Sequence, residues 1–180
     1  MTPVERSPLI SLPPGYSMRQ GSTLDRAKLL KFMHLTYLEL APQGDLSHLA
    51  QTVEQYFSQD TPIWWVTWPM HQTAPVAALP SSPVALHPIA CLWVGTAIDQ
   101  RSGDRHAHIF LLYVAPEHRR QGIGTVLMQQ AEQWALARGD RQIGLQVFQT
   151  NQPALKLYQH LGYQTESLGM VKPLSHPDRL

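Results

Sequence analysis

Two arginines lie just before a pair of glycines in the segment HRRQGIGTVLMQQAEQWA, residues 118–135. Gly122 and Gly124 leave the backbone bare, and the apolar residues that follow recur at helical spacing. The first turn of a helix has unpaired N–H groups, and the helix dipole adds about half a positive charge there. Arg119 and Arg120 add guanidinium hydrogen-bond donors and positive charge, so this segment predicts a binding site for a pyrophosphate group.

Three kinds of phosphate-binding loop compete for the segment. A P-loop requires a Lys and then a Ser or Thr after its glycines, and no Lys follows here. A dinucleotide fingerprint requires a third glycine where this chain has Leu127, and an acidic residue further along after a strand. Both patterns fail. The pattern that remains is Arg-x-x-Gly-x-Gly, formed by Arg119, Gly122 and Gly124.

This remaining pattern follows a predicted strand and begins an amphipathic helix. In that setting it resembles motif A of the GNAT superfamily of acetyl-CoA-dependent N-acetyltransferases. The downstream block LQVFQTNQPALKLYQHLGY is similar to the next motif of that family. The matching positions of this block are Asn151, Ala154, Leu157, Tyr158, Leu161, Gly162 and Tyr163. The resemblance spans residues 109–163, about a third of the chain.

The resemblance implies where acetyl-CoA binds. The strand ending at residues 112–114 would be bulged and splayed from the strand at residues 141–148, with the pantetheine arm in the gap. The pyrophosphate would lie on the amides of residues 120–125. Asn151 is equally well suited to cap a helix, because Pro153 follows it closely. The residues expected to contact acetyl-CoA are Leu112, Tyr113, Val114, Arg119, Arg120, Gln121, Gly122, Ile123, Gly124, Thr125, Asn151 and Tyr158.

The resemblance to this family implies that Tyr158 is the catalytic residue. A phenol with the usual pKa near 10 is protonated at neutral pH and can donate a proton to a departing thiolate. The sequence leaves the identity of the general base open. Some relatives carry a Glu on the strand before the Asn block, where this chain has Gln146. His106, His108, Glu117 or a chain of water molecules are the alternatives.

The expected function is acetyl transfer from acetyl-CoA to a primary amine, on a small molecule or a peptide. The amine would attack directly in a ternary complex, because the sequence has no activated Ser or Cys constellation. A non-catalytic acyl-CoA-binding module with the same fold is an alternative, and a nucleotide binder that uses the glycine turn is another. The acceptor amine has no signature in the sequence. Dimers are common in the family, so a homodimer is considered.

Composition limits the remaining classes of function. The 180 residues are 43% hydrophobic and 15% charged, which is typical of one globular domain. A formal net charge of +1 argues against nucleic acid or a membrane surface as partner. Cys91 is the single cysteine, so an internal disulfide is excluded and no metal cluster is expected. With no bilayer-spanning apolar run and no signal-peptide pattern, a cytoplasmic protein is expected.

Periodicity and turn residues predict the elements that position these groups. The order of elements predicts an α/β (α+β) fold, with a mixed, mostly antiparallel sheet flanked by helices. Strands are predicted over residues 16–20, 62–68, 89–99, 105–115, 141–148 and 163–174, and helices over 24–40, 47–58, 122–139 and 151–162. Residues 1–15 are expected to be a Pro-rich leader, 16–174 a single domain, 69–88 a Pro-rich loop insertion, and 175–180 a tail.

Overall fold

A computed structural model describes residues 11–40, 44–69 and 86–174. In these ranges five strands form one sheet in the order β1-β2-β3-β4-β5. The strands are β1 (Ser17–Gln20), β2 (Ile63–Pro69), β3 (Leu86–Ile98), β4 (Arg105–Val114) and β5 (Ile143–Leu145). The helices are α1 (Arg26–Leu40), α2 (His48–Tyr56), α3 (Ile123–Arg138) and α4 (Gln152–His160), with short 3₁₀ turns at Thr23–Asp25 and Pro116–His118.

The sheet is mixed and mostly antiparallel, as the order of elements predicts. β1, β2, β3 and β4 pair with one another in antiparallel fashion. β5 pairs with β4 in parallel, because α3 crosses over between them. The predicted fold class is therefore confirmed.

β4 carries a bulge and then separates from β5. Trp93 of β3 pairs with Leu111, whereas the next residue, Val94, pairs with Ile109. Phe110 is therefore the extra residue of a β-bulge. The parallel ladder ends where Ile109 pairs with Leu145, while β4 continues to Val114. The predicted splay between the strands before and after α3 is present.

Two apolar layers cover the sheet. On one face α1 and α2 pack on β2, β3 and β4, and alternation along β2 sends Trp65 to this face and Trp64 to the other. On the opposite face α3 buries the stripe that its sequence period predicts, with Trp134 at the margin. The buried residues of that stripe are Ile123, Val126, Leu127, Met128, Ala131 and Ala135.

Two predicted strands differ from the structure. The strand expected over residues 141–148 is only the three half-buried residues of β5, because the bulge at Phe110 turns β4 away after Leu145. The strand expected over residues 163–174 does not form. Its apolar side chains are exposed beyond Tyr163, and Gly169 and Pro173 interrupt the segment.

The predicted loop insertion over residues 69–88 is shorter at both ends. Pro69 is the last residue of β2, and β3 begins at Leu86. Residues 70–85 lie outside the described ranges, as do residues 1–10 of the predicted leader and the predicted tail at 175–180. Leu12, within the predicted leader, packs against the core on the α3 face.

Candidate active site

The start of α3 presents free backbone amides to an open space. Gly122 caps the helix in the left-handed conformation at φ 82°. The first helical hydrogen bond is donated by Val126 N–H to the carbonyl of Gly122 at 3.1 Å. The amides of residues 123–125 therefore precede any helical partner. A Cβ added at Gly122 would meet nothing within 4 Å, so the space next to Gly122 is open. Arg120 also has a positive φ, 62°.

Gly124 has a second role that the sequence did not indicate. A Cβ at this position would lie 3.3 Å from Cδ2 of Leu157 in α4. The missing side chain therefore lets α4 pack closely against the first turn of α3. Since Tyr158 follows Leu157 directly, this packing also bears on the position of the predicted catalytic residue.

Arg119 is engaged within the protein. Its Nε donates to the carbonyl of Val114 at 2.8 Å, and its Nη2 donates to both oxygens of Glu39 at 2.7 and 2.8 Å. Its guanidinium also lies 5.9 Å from the centre of the Tyr113 ring. Arg120 is exposed, and neither an ion pair nor a side-chain hydrogen bond engages it within the described residues. The sequence did not identify Glu39 as a residue near the site, because no motif near the end of α1 distinguishes it.

The free edge of β4 faces the gap left by β5. Ala115 donates its N–H to Ile89 of β3 at 2.8 Å. Backbone groups alternate along a strand, so those of Leu112 and Val114 point away from β3 toward the gap. Those of Tyr113 point toward β3, and its ring is buried against Phe32 on the α1 face. Leu112 and Val114 are thus the predicted contacts whose amides the geometry makes available.

α4 brings Asn151 and Tyr158 to the same side as α3. The Asn151 side chain accepts from Ala154 N–H at 3.3 Å, which confirms the helix-cap prediction. Tyr158 packs against the core beneath α3, and burial raises its pKa to about 12. Within the described ranges no group hydrogen-bonds its hydroxyl, which leaves that hydroxyl free to act on a ligand. Contact of Asn151 with a cofactor stays a prediction.

A second tyrosine lies beside Tyr158. The rings of Tyr158 and Tyr163 are 5.9 Å apart, and the Tyr163 hydroxyl is buried near Glu132 of α3. Burial raises the pKa of Glu132, and burial together with that carboxylate raises the pKa of Tyr163. Both tyrosines therefore stay protonated at neutral pH, and only Tyr158 has a hydroxyl without a nearby acidic group.

The candidate bases lie in different places. His106 and His108 alternate with core residues of the α3 face, so they project from the face that carries α1 and α2. Burial, together with the nearby His106, lowers the pKa of His108 below its ordinary value. Glu117 is exposed in the 3₁₀ turn before Arg119.

A polar cavity of about 700 Å³ opens at the other end of β4 and β5. His106 lines it, with Arg105 and Asp104 of the β3–β4 hairpin and Arg141 before β5. Its position at the starts of the parallel strands separates it from the gap, which lies at their carboxyl ends. This cavity contains none of the residues expected to contact acetyl-CoA.

No helix in residues 11–40, 44–69 and 86–174 is long and apolar enough to cross a membrane. The same residues contain no group of three or more His, Cys, Asp or Glu side chains that could hold a metal ion.

The hydrogen-bonding groups and the positive charge of the site suit acetyl-CoA. Free amides at the start of α3, an exposed Arg120 and a clear space at Gly122 suit a pyrophosphate. The unpaired edge of β4 at Leu112 and Val114 suits the amides of an extended arm. A splayed mixed sheet with a glycine-capped helix at its gap thus defines an acetyltransferase type of fold.

Comparison with known families agrees with this class. The model of the acetyltransferase (GNAT) family matches residues 33–163. This range covers most of the chain, so the protein belongs to the GNAT family, and the resemblance drawn from the two motifs is confirmed.

Individual relatives match over shorter segments. An uncharacterised N-acetyltransferase of Methanocaldococcus jannaschii is 30% identical over 108 residues, which cover 58% of this chain and 46% of that protein. The thialysine N-epsilon-acetyltransferase of Mus musculus is 40% identical over 69 residues, 37% of this chain and 41% of that protein. The chain thus spans less than half the length of these relatives.

The fold itself matches solved structures over nearly their whole length. The ribosomal-protein-alanine N-acetyltransferase of Brucella melitensis superposes with a TM-score of 0.61, covering 89% of this chain and 99% of that one. At 12% sequence identity this likeness concerns the fold alone.

Proposed function

We propose that the protein transfers an acetyl group from acetyl-CoA to a primary amine, which attacks while both substrates are bound. The main supporting observation is that β4 continues past the end of its pairing with β5 and is followed, after a 3₁₀ turn, by the free amides at the start of α3. Acetyl-CoA supplies an acyl group activated by a thiolate leaving group. Membership of the GNAT family supports the same reaction class.

Backbone groups of this chain would hold the donor. The amides of residues 123–125 and the exposed Arg120 would bind the pyrophosphate. Leu112 and Val114 would pair with the pantetheine arm along the edge of β4. The carbonyl of Val114 accepts from Arg119, whereas its N–H remains to polarise the acyl carbonyl.

Tyr158 would hold the proton that the leaving sulfur needs. Its pKa of about 12 keeps Oη protonated through the physiological range. The ring is fixed in the core beneath α3, so the hydroxyl is the part of the side chain that acts. In this role Tyr158 is a general acid toward the sulfur.

Among the candidate bases, His108 fits best. It lies two residues before the bulge, on the face opposite α3, and its lowered pKa leaves the imidazole neutral at pH 7. A neutral ring nitrogen can accept the proton that the amine loses as it attacks. His106 lines the polar cavity at the other end of the strands, and Glu117 is solvated.

Ligand-induced thermal shifts test the donor assignment. Acetyl-CoA, CoA, ATP and NAD are compared in parallel, and a ligand at about a hundred times its Kd adds about 2.7 kcal/mol of stability. The proposal expects a shift of several degrees with the two CoA species alone. A shift with ATP and none with CoA would contradict it. Release of free CoA thiol in the presence of amines then separates a transferase from a binding module.

A further inference from the structure

Two glycines flank His108 on the face of the sheet that carries α1 and α2. His108 of β4 pairs with Gly95 of β3 on one side and with Gly144 of β5 on the other. Residues paired across strands direct their side chains to the same face. The imidazole of His108 therefore has no side chain directly beside it on either neighbouring strand.

Both glycines make room for rings that lie against the sheet. A Cβ at Gly95 would collide with the ring of Phe110. A Cβ at Gly144 would lie 3.1 Å from Nε2 of His106 and 3.6 Å from Nδ1 of His108. The two small residues thus shape a shallow surface around β4.

Three rings form this surface, which we call the aromatic shelf: Tyr56 of α2 with His108 and Phe110 of β4. The Phe110 ring lies 5.5 Å from the Tyr56 ring and 5.4 Å from the His108 ring. It also stacks on the buried Trp93 at 4.7 Å, which fixes its orientation. Phe110 lies between Trp93 and Tyr56, so its edge and the Tyr56 ring, which is 44% exposed, are the parts of the shelf that can meet a ligand.

The aromatic shelf borders the gap between β4 and β5. Phe110 follows Ile109, the last residue of β4 that pairs with β5. Tyr158 packs on the opposite face of the sheet, with α3. If the gap holds the donor, as the proposed function requires, the shelf lies on the side that α3 and α4 leave open.

The electrostatic character of the shelf limits what it can bind. Among the described residues neither His106 nor His108 forms an ion pair with a carboxylate. A close carboxylate would raise the pKa of His108, which burial and His106 instead lower. Polyamines and aminoglycosides carry additional ammonium groups that need acidic partners. The shelf supplies ring faces and a neutral imidazole in their place.

We infer that the aromatic shelf binds the acceptor, and that the acceptor is a primary amine joined by a short linker to an aromatic or other flat apolar group. This inference rests on the proposed function. The ring of the acceptor would pack on the exposed Tyr56 and against the edge of Phe110, and its amine would lie at His108 beside the gap. Phe110 and Tyr56 are then the residues that determine acceptor specificity.

An amine panel tests the inference at saturating acetyl-CoA. The probes are 2-phenylethylamine, n-butylamine and spermidine, and kcat/KM is measured for each by release of CoA thiol. We expect 2-phenylethylamine to exceed n-butylamine by about tenfold, because aromatic pairing adds to the burial of apolar area. An equal or greater kcat/KM for n-butylamine or spermidine overturns the inference.

Variants of the shelf assign the preference to its residues. Phe110→Ala and, on the exposed ring, Tyr56→Ala should each lower kcat/KM for 2-phenylethylamine by about tenfold and for n-butylamine by less than about twofold. Tyr56→Phe should retain the preference. The matched control is Leu136→Ala, an exposed apolar residue of α3 away from the shelf. Equal losses for both amines in Phe110→Ala and Tyr56→Ala would contradict a role in specificity.

Binding measurements separate this inference from the proposed function. Calorimetry with CoA should give the same Kd for the wild type, Tyr56→Ala and Tyr56→Phe. Calorimetry with 2-phenylethylamine in the presence of CoA should show weaker binding to Tyr56→Ala only. Absence of CoA binding in the wild type would refute the proposed function. Normal CoA binding with unchanged amine binding in Tyr56→Ala would refute the shelf alone.

Discussion

Glu39 in α1 and Arg119 before α3, 80 residues apart in the chain, form an ion pair with N–O distances of 2.7 and 2.8 Å. The same guanidinium donates from Nε to the carbonyl of Val114 at 2.8 Å. The pair therefore joins α1 to the end of β4, next to the candidate acetyl-CoA site. The Glu39 carboxylate therefore partly neutralises the positive charge of Arg119, which would otherwise be fully available to a pyrophosphate.

Replacing Glu39 should strengthen CoA binding. Glu39→Gln leaves the Arg119 cation without its carboxylate, so the positive potential at the start of α3 increases. We expect the Kd for CoA to fall by about twofold to fivefold at low ionic strength, and the difference to shrink as salt is added. Both side chains are about 40% exposed, so the free energy of unfolding should change by less than about 1 kcal/mol. Calorimetry at two salt concentrations, with thermal melts, measures both quantities.

The opposite result would assign the ion pair a different role. If Glu39→Gln weakened CoA binding, the pair would act by holding the loop before α3 in place. Arg120→Gln is the matched control, because Arg120 is exposed without a described partner and should weaken binding as an ordinary phosphate contact.

Removal of the Tyr158 hydroxyl should affect turnover and not binding. No described group hydrogen-bonds this hydroxyl, and the ring that packs in the core is retained in Tyr158→Phe. We expect kcat to fall by about 10²-fold or more, with the Kd for acetyl-CoA nearly unchanged. Steady-state kinetics and calorimetry measure the two effects.

Tyr163→Phe is the control for Tyr158. It removes a neighbouring phenol whose hydroxyl faces Glu132, so kcat should change little. Parallel losses of kcat and of CoA affinity in Tyr158→Phe would make Tyr158 a structural residue.

The parts of the site that the sequence predicted are those that depend on local chemistry. Gly122 precedes α3 and Gly139 follows it, both in the left-handed conformation, and Asn151 caps α4. The positions of these residues in the sequence indicate that they lie at helix ends. Such features depend on backbone geometry within a few residues, which residue type specifies directly. The strands β3 and β4 were equally predictable, since β3 is a continuous buried apolar run and β4 alternates over many residues.

The parts that could not be predicted depend on partners distant in the chain. Glu39 meets Arg119 only because α1 crosses the end of β4, and no local pattern encodes that contact. The segment 163–174 has strand-like composition, but a strand needs a paired edge, and β5 is only three residues long. Its early end is itself set by the bulge at Phe110, where β4 turns away.

Gly124→Val should abolish CoA binding in a protein that still folds. A branched side chain would cover the amides of the first turn of α3, and it would also press on Leu157, which lies 3.3 Å from the added Cβ position. The double variant Gly124→Val, Leu157→Ala makes room in α4. We expect it to recover thermal stability but not CoA affinity, as measured by melts and calorimetry. Recovered affinity would mean that Gly124 serves the packing of α4 alone.

The pH dependence of His108→Gln tests the proposed base. As the proposed base, His108 would act only with a neutral imidazole, and burial together with His106 places its pKa below the ordinary value of 6.5. The ratio of wild-type to variant kcat/KM cancels the titration of the amine itself. We expect this ratio to level off at about 10²-fold at alkaline pH and to fall toward acid pH with a midpoint below 6.5.

Stability supplies an independent check on the same group. Because the unfolded state binds the proton more readily, wild-type stability should decrease as pH falls below 6.5, and His108→Gln should lack that part of the decrease. His106→Gln is the comparison variant: it removes the neighbouring imidazole that helps to lower the pKa of His108, so it should move the midpoint toward higher pH and leave kcat/KM near the wild-type value at alkaline pH. A pH-independent ratio for His108→Gln, or an equal effect of His106→Gln, would remove His108 as the base and favour proton transfer through water.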